Sequence, residues 1–292
     1  MALKVAIANR KGGVGKTTLA IALAETFVFE HKRSTLIVDL DPQSSASEIL
    51  LSPAEYADRV EKRLVLPRLW SRQKASEKSI SSVVAHARHS LIGRGNVDLA
   101  IAANSTELWD VELDQVRNGK ENQYAEAVTS TIAVLEREFD VVIFDCPPGK
   151  TIASEVAILN ADMVLCPIVP ERLSVWGMDR MKEYFSSLEE AGHRVPPWKF
   201  VISKFTGSRS EARRQVEHIR AEYRDHFLTE KLGLLGMGER EFVGLDQAEV
   251  LVRRIAKFRE DPDDIKNLEQ FYGPAVTKQL RLMARHVEKA RP

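Results

Sequence analysis

Short apolar runs alternate with helical periodicities along most of the chain. The run at Lys4–Asn9 precedes a helical pattern from Thr17 to Glu30, and a second run follows at Leu36–Val38. Strand, helix and strand at this spacing form a βαβ crossover, which predicts that the two strands are parallel. The same reading predicts further strands at 97–101, 140–145, 163–166 and 200–202, and further helices at 46–51, 122–138 and 209–227. The pattern indicates an α/β fold of three layers, with a doubly wound, mostly parallel sheet between helices.

The weaker segments of the pattern do not separate into a second domain. No linker rich in proline or serine divides the chain, and we find no internal repeat. We therefore expect a single domain over residues 1–292, with a basic insertion around 52–95 and C-terminal helices around 246–292. The insertion holds eight Lys and Arg residues between Arg59 and Arg88. Such a run is typical of a solvated face, and a nucleic-acid or partner surface is the alternative.

The most informative motif is KGGVGKTT, which lies between the first strand and the first helix. Strand, glycine-rich loop and helix are the context in which this string forms a phosphate-binding loop. The glycines let backbone N–H groups turn towards a polyphosphate, and the helix N-terminus adds a partial positive charge. We expect Lys16 to bind the β- and γ-phosphates and Thr17 to bind Mg²⁺. Nucleotide contacts are expected from Lys11, Gly12, Gly13, Val14, Gly15, Lys16, Thr17 and Thr18.

Acidic residues follow two of the predicted strands. Asp39 and Asp41 come at the end of the second run, and Asp145 ends the run at 140–145. The carboxyl ends of parallel strands meet at one edge of a sheet, where ligands of such folds bind. Asp145 fits the role of a carboxylate that orients Mg²⁺ beside Thr17, and a carboxylate near the γ-phosphate can hold the attacking water. The sequence therefore predicts a site for ATP and Mg²⁺, and hydrolysis of the ATP to ADP and phosphate.

The phosphate-binding loop departs from the general pattern at its start. The pattern asks for glycine five residues before Gly15, but Arg10 occupies that position and a second lysine, Lys11, follows it. This resembles the deviant Walker A box of the ParA/MinD class of P-loop ATPases. In that class the extra lysine crosses a dimer interface to the partner subunit's nucleotide. The resemblance therefore implies an ATP-sandwich homodimer.

The motifs KGGVGKTT, VDLDPQ and VVIFDCPPG stand in the order and approximate spacing of ParA-type partition ATPases, and the chain is similar to that family over roughly residues 2–49 and 97–227. The resemblance implies an ATPase that binds DNA non-specifically and hydrolyses ATP slowly until a ParB-like adaptor stimulates it. Its cargo is DNA or a protein assembly. The implied catalytic residues are Lys11, Lys16 and Asp41, and the implied metal-site residues are Thr17, Asp39 and Asp145.

A DNA surface is predicted on the helix at 209–227. Four arginines of this helix fall within a stripe of about 60°, because each residue advances about 100° around the axis. They are Arg209, Arg213, Arg220 and Arg224. Arginines along one edge of a packed helix can meet phosphates without reading bases. An ion-paired, solvated helix is the alternative, and Arg253, Arg254 and Lys257 form a weaker second cluster.

Composition indicates the general class of the protein but says little about its function. Lys and Arg total 42, as do Asp and Glu, so the net charge does not indicate nucleic acid or membrane. Cys146 and Cys166 are too few for a disulfide framework, and we expect small buried thiols in a reducing cytoplasm. The first strand begins too early for a signal peptide, and no apolar run approaches the roughly 20 residues of a membrane-spanning helix. We expect a cytoplasmic protein without stable membrane association, and the resemblance to ParA-type ATPases implies that it associates with the nucleoid.

Two other functions are compatible with the sequence. A MinD-like ATPase ends in an amphipathic membrane-targeting helix, and the stretch Lys278–Arg291 mixes apolar with basic residues. A helix docked on the domain is the favoured interpretation of that stretch. The other alternative is a metabolic P-loop enzyme that uses ATP to drive a reaction of a small molecule.

Overall fold

The computed structural model describes residues 1–71, 76–87, 99–169, 174–203, 268–272 and 274–289, together with a few positions between 214 and 226. Its strands are β1 (Leu3–Ile7), β2 (Thr35–Asp39), β3 (Val84–His86), β4 (Leu99–Ala102), β5 (Val141–Asp145), β6 (Met163–Ile168) and β7 (Trp198–Ile202). Its helices are α1 (Lys16–His31), α2 (Ser45–Leu50), α3 (Pro53–Glu61), α4 (Leu66–Trp70), α5 (Glu77–Ser82), α6 (Glu107–Arg117), α7 (Glu121–Glu138), α8 (Ile152–Asn160), α9 (Ser174–Glu190), α10 (Leu268–Tyr272) and α11 (Pro274–Lys289).

The seven strands of the described part form one sheet in the order β3-β4-β2-β5-β1-β6-β7. Every neighbouring pair is parallel except β3 and β4. In the register of the sheet, Asp145 lies beside Ile7 on one side and beside Asp39 on the other. The strand order therefore brings the phosphate-binding loop and the acidic strand ends to one edge of the sheet. The α/β, mostly parallel fold predicted from the sequence is confirmed.

Each strand sends alternate side chains into two cores, one on each face of the sheet. Val5 and Ile7 of β1 pack in the core that contains α1 and α11, whereas Ala6 packs in the core with α7, α8 and α9. The central strands read as continuous apolar runs because both of their faces are covered. The hydrogen-bonded register of β1, β2 and β5 determines the position of the residues that follow these strands.

Six strands and three helices have the predicted bounds to within two residues. The strand β3 and the helices α3 to α6 were not predicted. β3 has only three residues, and α3 buries none of its side chains, so neither carries a clear apolar pattern. The pattern of α6 is blurred by exposed apolar residues at Trp109, Leu113 and Val116. The predicted helix at 209–227 falls mostly outside the described residues.

The basic segment around 52–95 contributes buried residues to the core. Trp70 lies against Tyr124 of α7, and its indole N–H donates to the Thr131 hydroxyl at 3.1 Å. Arg59 donates to the carbonyl of Ser82 at 2.9 Å. The contacts of Trp70 hold the segment against α7, and the Arg59 hydrogen bond joins two parts of the segment. Arg72, Lys74 and Arg88 of the segment lie outside the described residues.

The C-terminal helix α11 packs on α1, as the favoured interpretation of its sequence predicts. Its apolar face is buried in the core that contains α1, through Val276, Leu280, Met283, Ala284 and Val287. Arg281 donates to Glu30 of α1 at 2.8 Å and to Glu269 of α10 at 2.7 Å. Within the described residues, no helix combines the length and the hydropathy needed to cross a membrane.

Candidate functional site

The phosphate-binding loop connects β1 to α1 and turns at two glycines. Gly13 has φ +70° and Gly15 has φ +90°, the left-handed region that side chains disfavour. Lys16 and Thr17 begin α1 directly after the second glycine. The loop therefore ends at a helix N-terminus, where backbone N–H groups have no partner in the helix and suit an anion.

Two polar residues outside the motif hold the loop in place. The Asn9 side chain donates to the Pro167 carbonyl of β6 at 2.7 Å and accepts from the Lys11 N–H at 2.9 Å. The Ser203 hydroxyl, which follows β7, donates to the Val14 carbonyl at 2.5 Å. Both side chains are buried. The only sequence signal for these anchors is a polar residue after a buried strand, and neither was predicted.

Lys16 lies across the loop rather than in solvent. Its ammonium group donates to the Lys11 carbonyl at 3.2 Å, and only 6% of the residue is exposed. Burial lowers the pKa of Lys16, and the carboxylates of Asp145 and Asp41 oppose that change. The ammonium group therefore faces the acidic strand ends while it touches the mouth of the loop.

Asp145 is a fully buried carboxyl group without a well-formed hydrogen bond. Neither of its side-chain oxygens has a partner of good geometry among the described residues. Burial raises the pKa of Asp145 well above its usual range and the charge of Asp39 raises it further, while the nearby Thr17 hydroxyl lowers it. A buried carboxyl group left in this state fits a cation as its missing partner. If Mg²⁺ binds at this site, Thr17 and Asp145 are the residues that would hold it.

Asp39, which was expected at the metal, is held by donors of its own chain. One carboxyl oxygen accepts from the Ser47 N–H at 2.9 Å and from the Ser47 hydroxyl at 2.7 Å. The other accepts from the Asp41 N–H at 3.2 Å. Burial raises the pKa of Asp39 to about 7, against the effect of the Ser47 hydrogen bonds. This geometry favours a role in holding the loop after β2 over direct contact with a metal.

Asp41 lies two residues beyond β2, with its side chain partly exposed. Its carboxylate accepts from the Gln43 N–H at 2.9 Å. It lines a cleft of about 630 Å³ together with Gly12, Lys16 and Thr17 of the phosphate-binding loop. The far wall of the cleft comes from α2 and α3 and includes Ile49, Pro53 and Tyr56. The cleft therefore opens directly beside the phosphate-binding loop.

The acidic strand ends do not form a metal site by themselves. In the part of the chain that the structure describes, no three His, Cys, Asp or Glu side chains converge on a point where a metal ion could sit. Mg²⁺ commonly binds through one or two protein oxygens together with phosphates and waters. The donor set at Thr17 and Asp145 fits that mode, in which the nucleotide supplies the remaining oxygens.

The structure brings together Lys11, Lys16, Thr17, Asp41 and Asp145, with Asp39 behind them. The two cysteines are free and buried, as expected. The predicted DNA-contacting residues Arg209, Arg213, Arg220 and Arg224 lie outside the described residues, as does the second basic cluster at 253–257. Ile219 and Tyr223 of the same stretch are described and are buried.

Comparison with protein families assigns most of the chain to one family. Residues 2–194 match the family model described as an AAA domain. Among characterised relatives, the chromosome partitioning protein ParA of Myxococcus xanthus is 26% identical over 225 residues, which cover 75% of this chain and 71% of the relative.

Solved structures of two kinds share the fold. A plasmid partition protein from Borrelia burgdorferi has a TM-score of 0.60 at 19% identity, covering 89% of this chain and 99% of the other. Cobyrinic acid a,c-diamide synthase from Mycobacterium smegmatis, with a bound ATP analogue and magnesium, has a TM-score of 0.62 at 21% identity. That match covers 76% of this chain and 83% of the synthase. At these identities the structures establish the fold alone.

Proposed function

The chain belongs to the AAA domain family as a ParA-type partition ATPase, and we propose that it dimerises on ATP, binds DNA non-specifically and hydrolyses ATP to position DNA or another cargo. Hydrolysis is slow in this proposal until an adaptor of the ParB kind stimulates it. The proposed location is the cytoplasm, in association with the nucleoid. The family supports the role of a positioning ATPase, and the geometry of the site supports hydrolysis of ATP.

The observation that carries the proposal is the contact between the two lysines of the loop. Lys16 reaches back to the Lys11 carbonyl, so a hydrogen bond joins the mouth of the loop to the phosphate-binding ammonium group. The Lys11 N–H is fixed on Asn9, and the residue is partly exposed at the entrance of the site. A lysine in this place suits contact with a nucleotide across a symmetric interface, because both copies present the same surface to each other.

Hydrolysis in this site depends on positioning and on charge. Backbone N–H groups of residues 12–18 and the Lys16 ammonium group bind the phosphates, and α1 adds its N-terminal dipole. Thr17 and Asp145 would hold Mg²⁺, which would supply positive charge beside the phosphates. Asp41 lies on the open side of the cleft and orients the water that attacks the γ-phosphorus. The partner copy's lysine at the same position as Lys11 stabilises the charge that develops on the leaving oxygens.

The experiment that tests the proposal measures hydrolysis, mass and DNA binding on the same preparation. We expect phosphate release that requires Mg²⁺, a doubled mass in ATP but not in ADP, and retention of unrelated duplexes that falls steeply with salt. Lys16→Ala should lose nucleotide binding. Changing the four arginines at 209, 213, 220 and 224 to alanine should weaken DNA retention and leave the doubled mass unchanged. A wild-type protein that stays monomeric in ATP contradicts the proposal.

A second candidate function rests on the cleft beside the loop. Its wall of Ile49, Pro53 and Tyr56 offers apolar surface for a small molecule beside the phosphate-binding loop, and the fold is shared with a synthase that binds an ATP analogue. In this candidate the chain uses ATP to activate a small-molecule substrate. Turnover that rises with a small-molecule fraction of a cell extract, and does not rise with DNA, favours it over partition.

The buried face of α11 weighs against a membrane-associated ATPase. An amphipathic helix binds a bilayer through its apolar face, and in this chain Leu280, Met283 and Val287 of that face are packed in the core with α1. Membrane binding through this helix therefore requires it to leave the domain. Sedimentation with anionic liposomes tests this, and we expect the protein to remain in the supernatant with ATP and with ADP.

A further inference from the structure

Asn104 is a buried residue that no motif explains. It follows β4, the strand next to β2, and it is fully enclosed. Its side-chain amide donates to the Asp41 carbonyl at 3.0 Å, and its side-chain oxygen accepts from the Ser105 N–H at 2.8 Å. Its polar atoms thus link the end of β4 to the loop that carries Asp41.

Ser47 of α2 makes a second link between the same two places. Its hydroxyl donates to Asp39 at 2.7 Å and accepts from the Asn104 N–H at 3.0 Å. Ser47 is also fully enclosed. The end of β2, the start of α2 and the end of β4 are therefore joined by hydrogen bonds within a region from which water is excluded, where the loss of one partner leaves the other unsatisfied.

The backbone of Asp41 is held from both sides by this arrangement. Its N–H donates to Asp39, and its carbonyl accepts from Asn104 and from the Ser44 N–H at 2.8 Å. The carboxylate, by contrast, lies at the cleft. Fixing the peptide groups on either side of a Cα atom restricts where its side chain can point, and displacement of a reacting group by about 1 Å can cost about a hundredfold in rate.

We propose that Asn104 is a positioning residue for ATP hydrolysis, which acts through the Asp41 carbonyl to hold the Asp41 carboxylate against the attacking water. Ser47 supports it by fixing the Asn104 backbone and Asp39 together. The inference rests on the proposed function, because it takes Asp41 as the group that orients water. Asn104 itself makes no contact with nucleotide in this account.

Two substitutions test the role of the amide. Asn104→Ala removes the donor, and Asn104→Asp keeps the shape while placing an oxygen where the donor was. Each should lower kcat by about tenfold or more and leave the affinity for a fluorescent ATP analogue within about twofold, since only the water-orienting group moves. The matched control is Asn160→Ala, because the Asn160 amide also donates to a backbone carbonyl, at 2.8 Å, but at the far end of α8. It should hydrolyse ATP as the wild type does.

A double-mutant comparison separates positioning from a general structural role. In an Asp41→Ala background, Asn104→Ala should cause no further loss of hydrolysis, because the group that it positions is already absent. Losses that multiply contradict the inference, and so does an Asn104→Asp protein that is folded by circular dichroism and has wild-type kcat. If Asn104→Ala does not fold, Asn104→Asp and Ser47→Ala carry the test.

The same measurements distinguish failure of this inference from failure of the proposed function. One outcome is that the wild type hydrolyses ATP and that Asp41→Ala lowers hydrolysis while Asn104→Asp does not. In that case only the positioning role is wrong. If the wild type does not hydrolyse ATP, or Asp41→Ala is unimpaired, the proposed function is wrong and the inference falls with it.

Discussion

Asp39 and Asp145 lie side by side at the ends of the neighbouring parallel strands β2 and β5, and both are fully buried. The chain supplies hydrogen-bond donors to Asp39 but no well-formed hydrogen bond to Asp145 from the described residues. The two carboxyl groups therefore have different roles at this edge of the sheet. Asp39 holds the loop that follows it, and Asp145 is left with oxygens suited to a cation.

The first prediction concerns the stability of the nucleotide-free protein. Because the pKa of Asp145 is raised in the fold, its contribution to stability is present in acid and is lost as the pH rises through the folded pKa. Asp145→Asn removes the buried charge. We expect it to raise the midpoint of thermal unfolding by a few degrees at alkaline pH, on the order of what about 1 kcal/mol produces, and to raise it less in acid.

The control for this prediction is Asp110→Asn on the exposed side of α6, which should shift the midpoint little at either pH. If Asp145→Asn shifts the unfolding midpoint equally in acid and at alkaline pH, the raised pKa assigned to Asp145 is contradicted. Asp145→Asn should also lose the gain in nucleotide affinity that Mg²⁺ gives to the wild type.

The second prediction concerns the anchor of the phosphate-binding loop. Ser203→Ala removes the donor to the Val14 carbonyl, so the loop is less ordered before nucleotide arrives. Nucleotide affinity should fall by about fivefold, the equivalent of one hydrogen bond of about 1 kcal/mol. Titration with a fluorescent ADP analogue measures it. Ser187→Ala removes a similar bond, to the Tyr184 carbonyl at 2.7 Å, in a helix away from the loop, and unchanged affinity is expected there.

The third prediction concerns the docking of α11. Met283 is fully buried in the core with α1, so Met283→Ala should lower the free energy of unfolding by about 2–5 kcal/mol. Urea unfolding followed by circular dichroism measures the loss. Lys278→Ala, on the exposed side of the same helix, should change stability little. If Met283→Ala costs no more than Lys278→Ala, the helix is not held on the domain as the structure shows.

The fourth prediction concerns Asp41. Asp41→Ala should bind ATP and Mg²⁺ and remain in the ATP state, because the loop and Lys16 are intact while the water is no longer oriented. Light scattering should give a mass twice that of the 32.9 kDa monomer in ATP, stable for hours. Rapid hydrolysis by this variant removes Asp41 from the mechanism.

Much of the fold is readable from the sequence because burial leaves a direct signature. The run Val141–Phe144 is apolar at every position since it is covered on both faces. The three residues of β3 carry no such signature, and their pairing with β4 depends on the tertiary fold. The acidic residues of the site were recognisable because they end buried strands. Asp39 was predicted at the metal, whereas the structure shows its carboxyl group bonded to Ser47 of α2. That partner cannot be seen in a linear pattern.

Asn104 and Ser203 show what the sequence could not supply. Each is an ordinary polar residue after a strand, and such residues are common at the ends of strands. Their importance comes from the strand order, which places β4 next to β2 and β7 beyond β6, so that one reaches the Asp41 loop and the other the phosphate-binding loop. Only the arrangement of the sheet identifies their targets.

The central claim is that the phosphate-binding loop is one half of an active site and that a second copy of the chain supplies Lys11. Mixing two inactive variants tests it most directly. Lys11→Ala keeps its own Asp41, and Asp41→Ala keeps its own Lys11, so a mixed dimer contains one complete site only if the lysine acts across the interface. An equal mixture should recover about a quarter of wild-type ATPase activity, because about half of the dimers are mixed and each has one complete site. No recovery in a mixture shown to form mixed dimers contradicts the claim.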